Sequence, residues 1–450
     1  MHRIHIPQNV SYIIKTLESN GFDAYVVGGC VRDSLLGITP NDWDITTNAT
    51  PLEIKSLFDK TIDTGIAHGT VTVLVDKNPY EVTTFRKDGE YKDSRHPEYV
   101  EYTNDLILDL SRRDFTVNAM AYNDTVGLVD HFGGINDLEN SVIKCVGNPT
   151  TRFLEDALRM LRAVRFSAQL SFSIESETLS ALKEKSDSII NISAERIHEE
   201  LNKILLSDNV FSAFLTLRET NILKNILPEF DRCFDTEQNI KYHLYNVGVH
   251  SLYVVKNCSK RLYLKYAALL HDIGKPDCRK TDEFGIDTFR NHAKLSTELS
   301  ESILKRLKFD NKSTDKILRL IKFHDREIVV SKKAIKRAVI DVGEDIFEDL
   351  IDLKKAEVYA QNTNLTLPRL KTYNDILDIY KEIQSNNEAM SLKDLDINGN
   401  DIMKLGFEGK EIGIILHKVL LHIINTPEDN QKEEILKIIK KNKNLWLKEK

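Results

Sequence analysis

Two aspartates one residue apart, Asp42 and Asp44 in PNDWDITT, follow closely on the Gly-Gly turn of AYVVGGCVRDSLLG. Residues i and i+2 of a strand project to one face, so a strand here would bring both carboxylates to one point. Two hard oxygen donors on one face suit Mg²⁺, which keeps its other positions for water and substrate phosphates. Gly29 lets phosphate oxygens approach backbone N–H groups, and Arg32 is placed to hold them in a forked, charge-assisted contact. The combination points to metal-assisted chemistry on a nucleoside triphosphate. Asp-x-Asp alone is a common acidic turn; its closeness to GGxVRD gives it weight.

Two further segments carry charge in a pattern. In LSRRDFTVNAMAYN (Leu110–Asn123), Arg112, Arg113 and Asp114 precede a run that reads as a buried helix. A helix opening with these side chains beside a catalytic strand can hold a triphosphate or a ribose hydroxyl; a solvated helix start, with Asp114 as N-cap, would use the same residues. In FLEDALRMLRAVRF, Asp156, Arg159, Arg162 and Arg165 are spaced three apart and share a broad helix face, with Leu158, Leu161 and Val164 on an apolar side. Asp156 can accept from an exocyclic amine while Arg159 donates to a ring nitrogen or carbonyl, so the pair can read the Watson–Crick edge of a base. Arginine repeated without lysine suits planar recognition better than an ion-paired helix surface does. Between these segments, Phe85–Leu106 is charged and turn-rich and reads as a mobile loop. Glu81, on a strand beside it, reads as a solvated acid outside the site.

These residues need a mixed scaffold to hold them. Ala24–Val27, TVTVLVD, YEVTTFRK and YVEYT are β-rich, with a helix expected over Val31–Leu36. From about Thr150 to Pro228 the chain turns Leu-rich and helical with no convincing strand. A histidine-bearing block follows to Gln361, and the remainder is helical with a Lys-rich end, Lys437–Lys450. A length of 450 residues predicts several domains, and 41% apolar with 29% charged residues describes a globular chain. The net charge of −7 argues against a general basic coat for nucleic acid while leaving room for a local basic stripe. Cys30, Cys145, Cys233, Cys258 and Cys278 form no CxxC pair, which suits reduced thiols. MHRIHIPQNV lacks the apolar run of a signal peptide and no later segment is long enough to span a bilayer, so a cytoplasmic location is expected.

The histidine block poses a separate chemistry. His250, the His271-Asp272 pair in ALLHDIGKP, His292 and His324 all fall in helical text. A contiguous His-Asp can give one metal an imidazole and bridge to another through the carboxylate. Histidines that cap and pack helices are the alternative.

In this order, GGCVRDSLLG with DWD, GIAHGTVTV, RRDFTVNAMA and EDALRMLRAVRF resemble the bacterial-type (class II) CCA-adding tRNA nucleotidyltransferases, over about Ala24–Phe166. The resemblance implies an α+β, polymerase-beta-like nucleotidyltransferase head (1–145), followed by an all-α remainder. That remainder would comprise a nucleotide-selecting, RNA-binding neck (146–235), an HD-type helical domain (236–361) and a tRNA-binding tail (362–450). It implies that Asp42 and Asp44 carry Mg²⁺ and are catalytic, that Gly29 and Arg32 contact the triphosphate, and that Arg113 and Asp114 contact the nucleotide and its sugar. Asp156 and Arg159 would select CTP and then ATP, supported by Arg162 and Arg165. The Phe85–Leu106 loop matches the one such enzymes use in switching to ATP, and GIAHGTVTV favours CCA addition over poly(A) synthesis. The middle block resembles the HD metal-dependent phosphohydrolases through His250, His271 and Asp272, a candidate site for a second divalent metal, with Glu357 where an aspartate is expected.

The reading is therefore an enzyme that adds CCA to tRNA without a template, gripping the acceptor arm by shape and phosphate contacts. The rivals are a poly(A) polymerase or A-adding enzyme, and an HD phosphohydrolase with an inactive transferase head. The sequence leaves the oligomeric state open.

Overall fold

The computed structural model describes residues 3–89, 100–238, 244–361 and 366–446. It forms two compact units, Met1–Pro228 and Glu229–Lys450.

The first unit is built on a seven-stranded sheet in the order β3-β4-β5-β2-β1-β8-β9. Its strands are β1 (Ala24–Val27), β2 (Ile45–Thr47), β3 (Thr61–Gly65), β4 (Thr70–Val75), β5 (Asn78–Thr84), β8 (Met120–Asn123) and β9 (Gly127–Asp130). Between β5 and β8 in sequence, β6 (Arg86–Asp88) and β7 (Val100–Tyr102) pair antiparallel as a separate ribbon. β1 is buried along its whole length, as its uninterrupted AYVV requires of a central strand. Helix α1 (Gln8–Ser19) buries Val10, Ile13, Ile14 and Leu17, the i, i+3, i+4, i+7 stripe of a core-facing helix. Helix α2 spans Gly29–Leu35, so it starts two residues earlier than the apolar run suggested. Helix α3 (Pro51–Leu57) opens with a capping box between Thr50 and Glu53 and with Pro51 in its first turn.

Four expectations are corrected. Asp42 and Asp44 do not lie on a strand: β2 begins at Ile45, where its register with Val26 of β1 starts. Asp44 is nevertheless tied to the sheet, because Val27 N–H donates to its carbonyl at 3.0 Å. The run after Arg112, Arg113 and Asp114 is not a helix either. Helix α4 (Leu106–Ser111) ends before the charges, a 3₁₀ turn covers Thr116–Asn118, and MAYN becomes β8. Pairing on both of its edges, Val26↔Tyr122 and Met120↔Asp130, overrides the helical leaning of NAMA. The helical text from Pro149 is broken in two: α5 (Gly134–Glu139) precedes α6 (Pro149–Glu155), and Asp156, in an extended conformation with φ −144° and ψ 103°, separates α6 from α7 (Leu158–Leu170). Finally, Ser173–Ile174 forms a short strand, parallel to Val142–Ile143, in a stretch that read as purely helical. Helices α9 (Ala194–Leu205) and α10 (Val210–Glu219) pack against α7, and α8 (Ser176–Lys185) against α6.

Among its described residues the second unit is helical apart from a two-stranded ribbon, Lys280–Thr281 with Asp287–Thr288. Helices Val247–Asn257, Leu262–Leu270, His292–Arg306, Asn311–Phe323 and Phe347–Tyr359 carry the histidine block. Ile335, Phe347, Ile376 and Tyr380 belong to one apolar cluster, and Ile402, Phe407, Ile415, Ile435 and Ile439 to another nearer the C-terminus. No helix among the described residues is long and apolar enough to cross a membrane.

Candidate functional site

In the first unit the charged segments converge, though not always as their spacing suggested. Asp42 and Asp44 enter β2, and β5 runs parallel beside it with Ile45 opposite Val82. That register brings Glu81 toward the aspartates. Burial pushes the Glu81 carboxyl above the usual range, and Asp44 and Asp42 push it further. Burial likewise raises Asp44; Arg113 pulls it back and Asp42 adds to the rise. Carboxylates this close repel one another, a poor arrangement by itself and a good one around a divalent cation. Glu81, read as a solvated acid, is exposed, yet it stands near enough to feel both aspartates; its position one residue before the residue paired with Ile45 carried no signal of this until the β2–β5 pairing was known.

The backbone constraint falls on the first glycine of the pair. Gly28 has φ +81° and ψ −129°, and a Cβ there would lie 2.9 Å from the Arg113 guanidinium. At Gly29 a Cβ would meet only Arg32 Nη2, at 3.7 Å. Arg32 is buried, with Nε donating to Asp33 Oδ1 at 2.8 Å and Nη1 to Asn118 Oδ1 at 2.7 Å. Its guanidinium lies 5.0 Å from the centre of the Phe166 ring.

The Arg-Arg-Asp segment is locked from three sides. Asp109 on α4 is fully buried; it accepts from Arg112 Nη2 at 2.9 Å and from the Arg86 N–H at 3.2 Å. Thr46, next but one to Asp44, donates its hydroxyl to Asp109 Oδ2 at 3.3 Å, and Arg113 lies 3.8 Å from the same oxygen. Burial lowers the Arg113 pKa, and its Nε has no hydrogen-bond partner. A partly buried guanidinium with a spare donor beside two acids is equipped to meet an anionic ligand. Asp114 accepts from the Phe115 N–H at 2.8 Å, Asn118 Nδ2 at 3.1 Å and Arg162 Nε at 2.7 Å. Burial would raise its pKa, but Arg162 and then Asn118 hold it down to about 2.

Asp156, Arg159, Arg162 and Arg165 share a region but not a function-ready face; each has a separate partner. Asp156 pairs with Arg196 of α9, Arg162 with Asp114, and Arg165 with buried Glu200 at 3.1 Å. Arg159 donates to Glu155 at 2.7 Å and to the Arg112 carbonyl at 3.0 Å, which links the neck helix to the Arg-Arg-Asp segment. Arg32, Arg162 and Arg165 all lie within 5.3 Å of the Phe166 ring centre. Asp109, Asn118, Phe166 and Arg196 thus belong to the network and had no distinguishing sequence signal. Residues 90–99 of the loop expected over Phe85–Leu106 lie outside the described residues; its two ends form the β6–β7 ribbon.

The second unit holds a different cluster. His250, His271, His292 and His324 point their Nε2 atoms at one buried carboxylate, Asp272. His271 and His250 approach Oδ2 at 3.1 and 3.9 Å; His292 and His324 approach Oδ1 at 3.4 and 3.7 Å. On the other side of each ring, Nδ1 meets a backbone carbonyl: His250 that of Ala360 at 3.3 Å, His271 that of Ala268 at 2.8 Å, His292 that of Phe289 at 2.8 Å and His324 that of Ile321 at 2.7 Å. A carbonyl takes only a donor, so each Nδ1 carries a proton and each Nε2 faces inward, where it can donate to Asp272 when protonated or bind a metal when not. Among the described residues, buried Asp272 Oδ1 and Glu357 Oε1 have no hydrogen-bond partner. Ligand atoms of His271, His324 and Glu357 lie within 4.8 Å of one another, so Glu357 reaches the cluster despite replacing an aspartate. His292 and His324, noted for their type but not placed in the site, join it through helices far apart in sequence. Lys275 Nζ closes one side at 2.7 Å from Asp272 Oδ2.

Comparison with known proteins places this geometry in a lineage. Residues 24–144 match the poly A polymerase head domain, 171–234 the probable RNA- and SrmB-binding site of polymerase A, and 281–439 the putative domain 2 of tRNA nucleotidyltransferase. The CCA-adding enzyme of Staphylococcus haemolyticus is 34% identical over 433 residues, covering 96% of each chain. The chain belongs to the CCA-adding enzyme family. The CCA-adding enzyme of Lactobacillus helveticus is 48% identical over a shorter stretch, 48% of this chain and 54% of that one. Among solved structures, the Bacillus stearothermophilus CCA-adding enzyme in complex with CTP superposes with a TM-score of 0.71 at 26% identity, over 97% of this chain and 98% of that one. The Thermotoga maritima CCA-adding enzyme complexed with tRNA shares the fold, with a TM-score of 0.57 at 21% identity, over 96% and 94% of the two chains. The α+β head followed by a mostly helical remainder is the architecture of this family of CCA-adding nucleotidyltransferases.

Proposed function

We propose that this chain builds the 3′-terminal CCA of tRNA from CTP and ATP, without a template and with release of pyrophosphate. The observation that carries the reading is the bond from Arg159 to the Arg112 carbonyl. It joins a base-reading helix to the segment that leans on the metal-binding acids, so one nucleotide can meet both. The 3′-hydroxyl of the RNA attacks the α-phosphate of the incoming nucleotide. Asp42 and Asp44, with Glu81, would hold Mg²⁺, and the raised carboxyls of Asp44 and Glu81 fit that role. The bound cation supplies positive charge that lowers the hydroxyl pKa and offsets charge on the leaving pyrophosphate. Arg113 and Arg32 would meet the triphosphate near Gly28 and Gly29, while Asp114, fixed by Arg162 and Asn118, faces the sugar. Asp156 and Arg159 would select the base, with Arg162 and Arg165 holding the shelf beneath it.

In this reading the head covers 1–145 and the neck 146–235, and an HD-type domain (236–361) precedes a tail (362–450) that meets the acceptor arm in a cytoplasmic setting. A second activity is favoured by the histidine cluster. Its four inward-facing Nε2 atoms and two carboxylates suit divalent metal and phosphate-ester hydrolysis. The deciding experiment extends tRNAs ending at the discriminator base, after C and after CC, with CTP, ATP or both, and sequences the products. Addition that stops at CCA supports the proposal. A single A on the CC end alone makes this an A-adding enzyme, a long A tail a poly(A) polymerase, and no extension leaves the hydrolase reading.

A further inference from the structure

Asp156 is gripped from outside its own helix. Arg196, on α9, donates from Nη1 to Oδ1 at 3.2 Å and from Nη2 to Oδ2 at 2.8 Å. Oδ1 also accepts the Leu158 N–H at 3.0 Å. The neighbouring acid, Glu155, takes different cations: Arg152 at 2.8 Å and Arg159 at 2.7 Å. Two adjacent carboxylates are thus sorted onto separate arginines, and Arg196 forks onto Asp156 only. A forked guanidinium fixes the plane of the carboxylate it holds, where a single contact would leave it free to turn. An ionised carboxylate offers about four acceptor sites and no donor. Three are filled here, which leaves room on Oδ2 for one more N–H.

We infer that Arg196 is a positioning residue that turns Asp156 into an acceptor of fixed orientation and so excludes uracil and guanine from the site. The inference rests on the base-reading role proposed above for Asp156. Cytosine N4 and adenine N6 are both amines, and either can donate to the free side of Oδ2. Uracil O4 and guanine O6 are carbonyls at the corresponding edge positions, and two acceptors facing each other leave both unpaired. One held acceptor therefore admits C and A together and rejects U and G together. A carboxylate free to rotate would present its edge less consistently, and the rejection would weaken.

The test compares wild type with Arg196→Gln, Arg196→Lys and Asp156→Ala, using kcat/KM for CTP, UTP, ATP and GTP on tRNA ends awaiting C or A. Glutamine removes both the fork and the charge, and the CTP-over-UTP and ATP-over-GTP ratios should fall by about ten- to a hundredfold. Lysine keeps a charge without the fork and should recover part of the loss, with the ratios still below wild type. It also gives the answer should Arg196→Gln fail to fold, as judged by thermal melting. A uniform drop for all four nucleotides with unchanged ratios in the folded variants would mean that Arg196 only stabilises the helix pair, and would overturn the inference. If Asp156→Ala loses discrimination while the Arg196 variants keep it, base reading survives and the role of Arg196 does not. If Asp156→Ala itself keeps wild-type ratios, base reading fails and the inference with it.

Discussion

Arg162 reaches across 48 positions of sequence to Asp114, its Nε donating to Oδ2 at 2.7 Å. The contact fastens the first turns of α7 to the segment between α4 and β8, and it keeps a buried carboxyl ionised. With its pKa held at about 2 instead of the ordinary 3.8, Asp114 binds its proton less readily folded than unfolded. The stabilisation is then fully present above the unfolded value and is lost as pH falls from about 4 to about 2, and it amounts to about 2 kcal/mol. Asp114→Asn should cost about that much at pH 7, and the gap to wild type should close as pH approaches 2. Urea denaturation across this range measures it; a gap independent of pH would rule out the electrostatic cause.

The acids at the head of β2 predict a linked loss of metal response and catalysis. Replacing Asp42 and Asp44 together by asparagine removes the mutual repulsion and the cation's ligands at once. Nucleotide addition should drop by at least about a thousandfold, corresponding to several kcal/mol of lost charge stabilisation. Mg²⁺ should raise the melting temperature of wild type and not of the variant, because only the former binds it in the folded state. An equal Mg²⁺ shift in both proteins would place the ion elsewhere.

Gly28 gives a sharper test of how the phosphate side is built. Its φ of +81° with ψ −129° is open to glycine alone, and a Cβ would press on the Arg113 guanidinium at 2.9 Å. Gly28→Ala should lower stability by about 1–3 kcal/mol through backbone strain. By displacing Arg113 it should also raise KM for both nucleotides alike. Gly29→Ala, whose Cβ meets a flexible arginine tip at 3.7 Å, should do far less of either. Equal effects at the two glycines would disprove this division.

Much of the first unit was legible because local signals and tertiary structure agree. The β1 strand, the Gly-Gly turn and the apolar stripe of α1 are each written in a few adjacent residues. What failed was decided at a distance. MAYN reads as helix until β1 and β9 pair with both of its edges, and Asp42 and Asp44 read as strand although the register begins one residue later. Asp156 sits in a break between two helices, which an uninterrupted i+3 spacing conceals. Residues that hold others in place, such as Asp109 and Arg196, are an ordinary acid and base in sequence, and only partners 23 and 40 positions away, the Arg86 N–H and Asp156, reveal them. In the second unit the His-Asp pair was legible as a metal motif, yet His292 and His324 reach it only through helix packing.

The histidine cluster makes a graded prediction, because its donors are not equivalent. Three groups of three can each converge on an ion: His250, His271 and Asp272; His271, His324 and Glu357; and Asp272, His292 and His324. His271 belongs to two of these groups, and His292 to one. Purified protein grown with added manganese or zinc should retain divalent metal after dialysis against a weak chelator, measured by elemental analysis. His292→Ala should retain part of it and His271→Ala much less, since losing a shared ligand weakens two groups at once. Hydrolysis of bis(p-nitrophenyl) phosphate should fall in the same order. Wild type that emerges without metal, or variants that lose it equally, would show that these imidazoles only pack around Asp272. Their Nδ1 bonds to backbone carbonyls argue otherwise, because they orient all four rings with Nε2 facing inward.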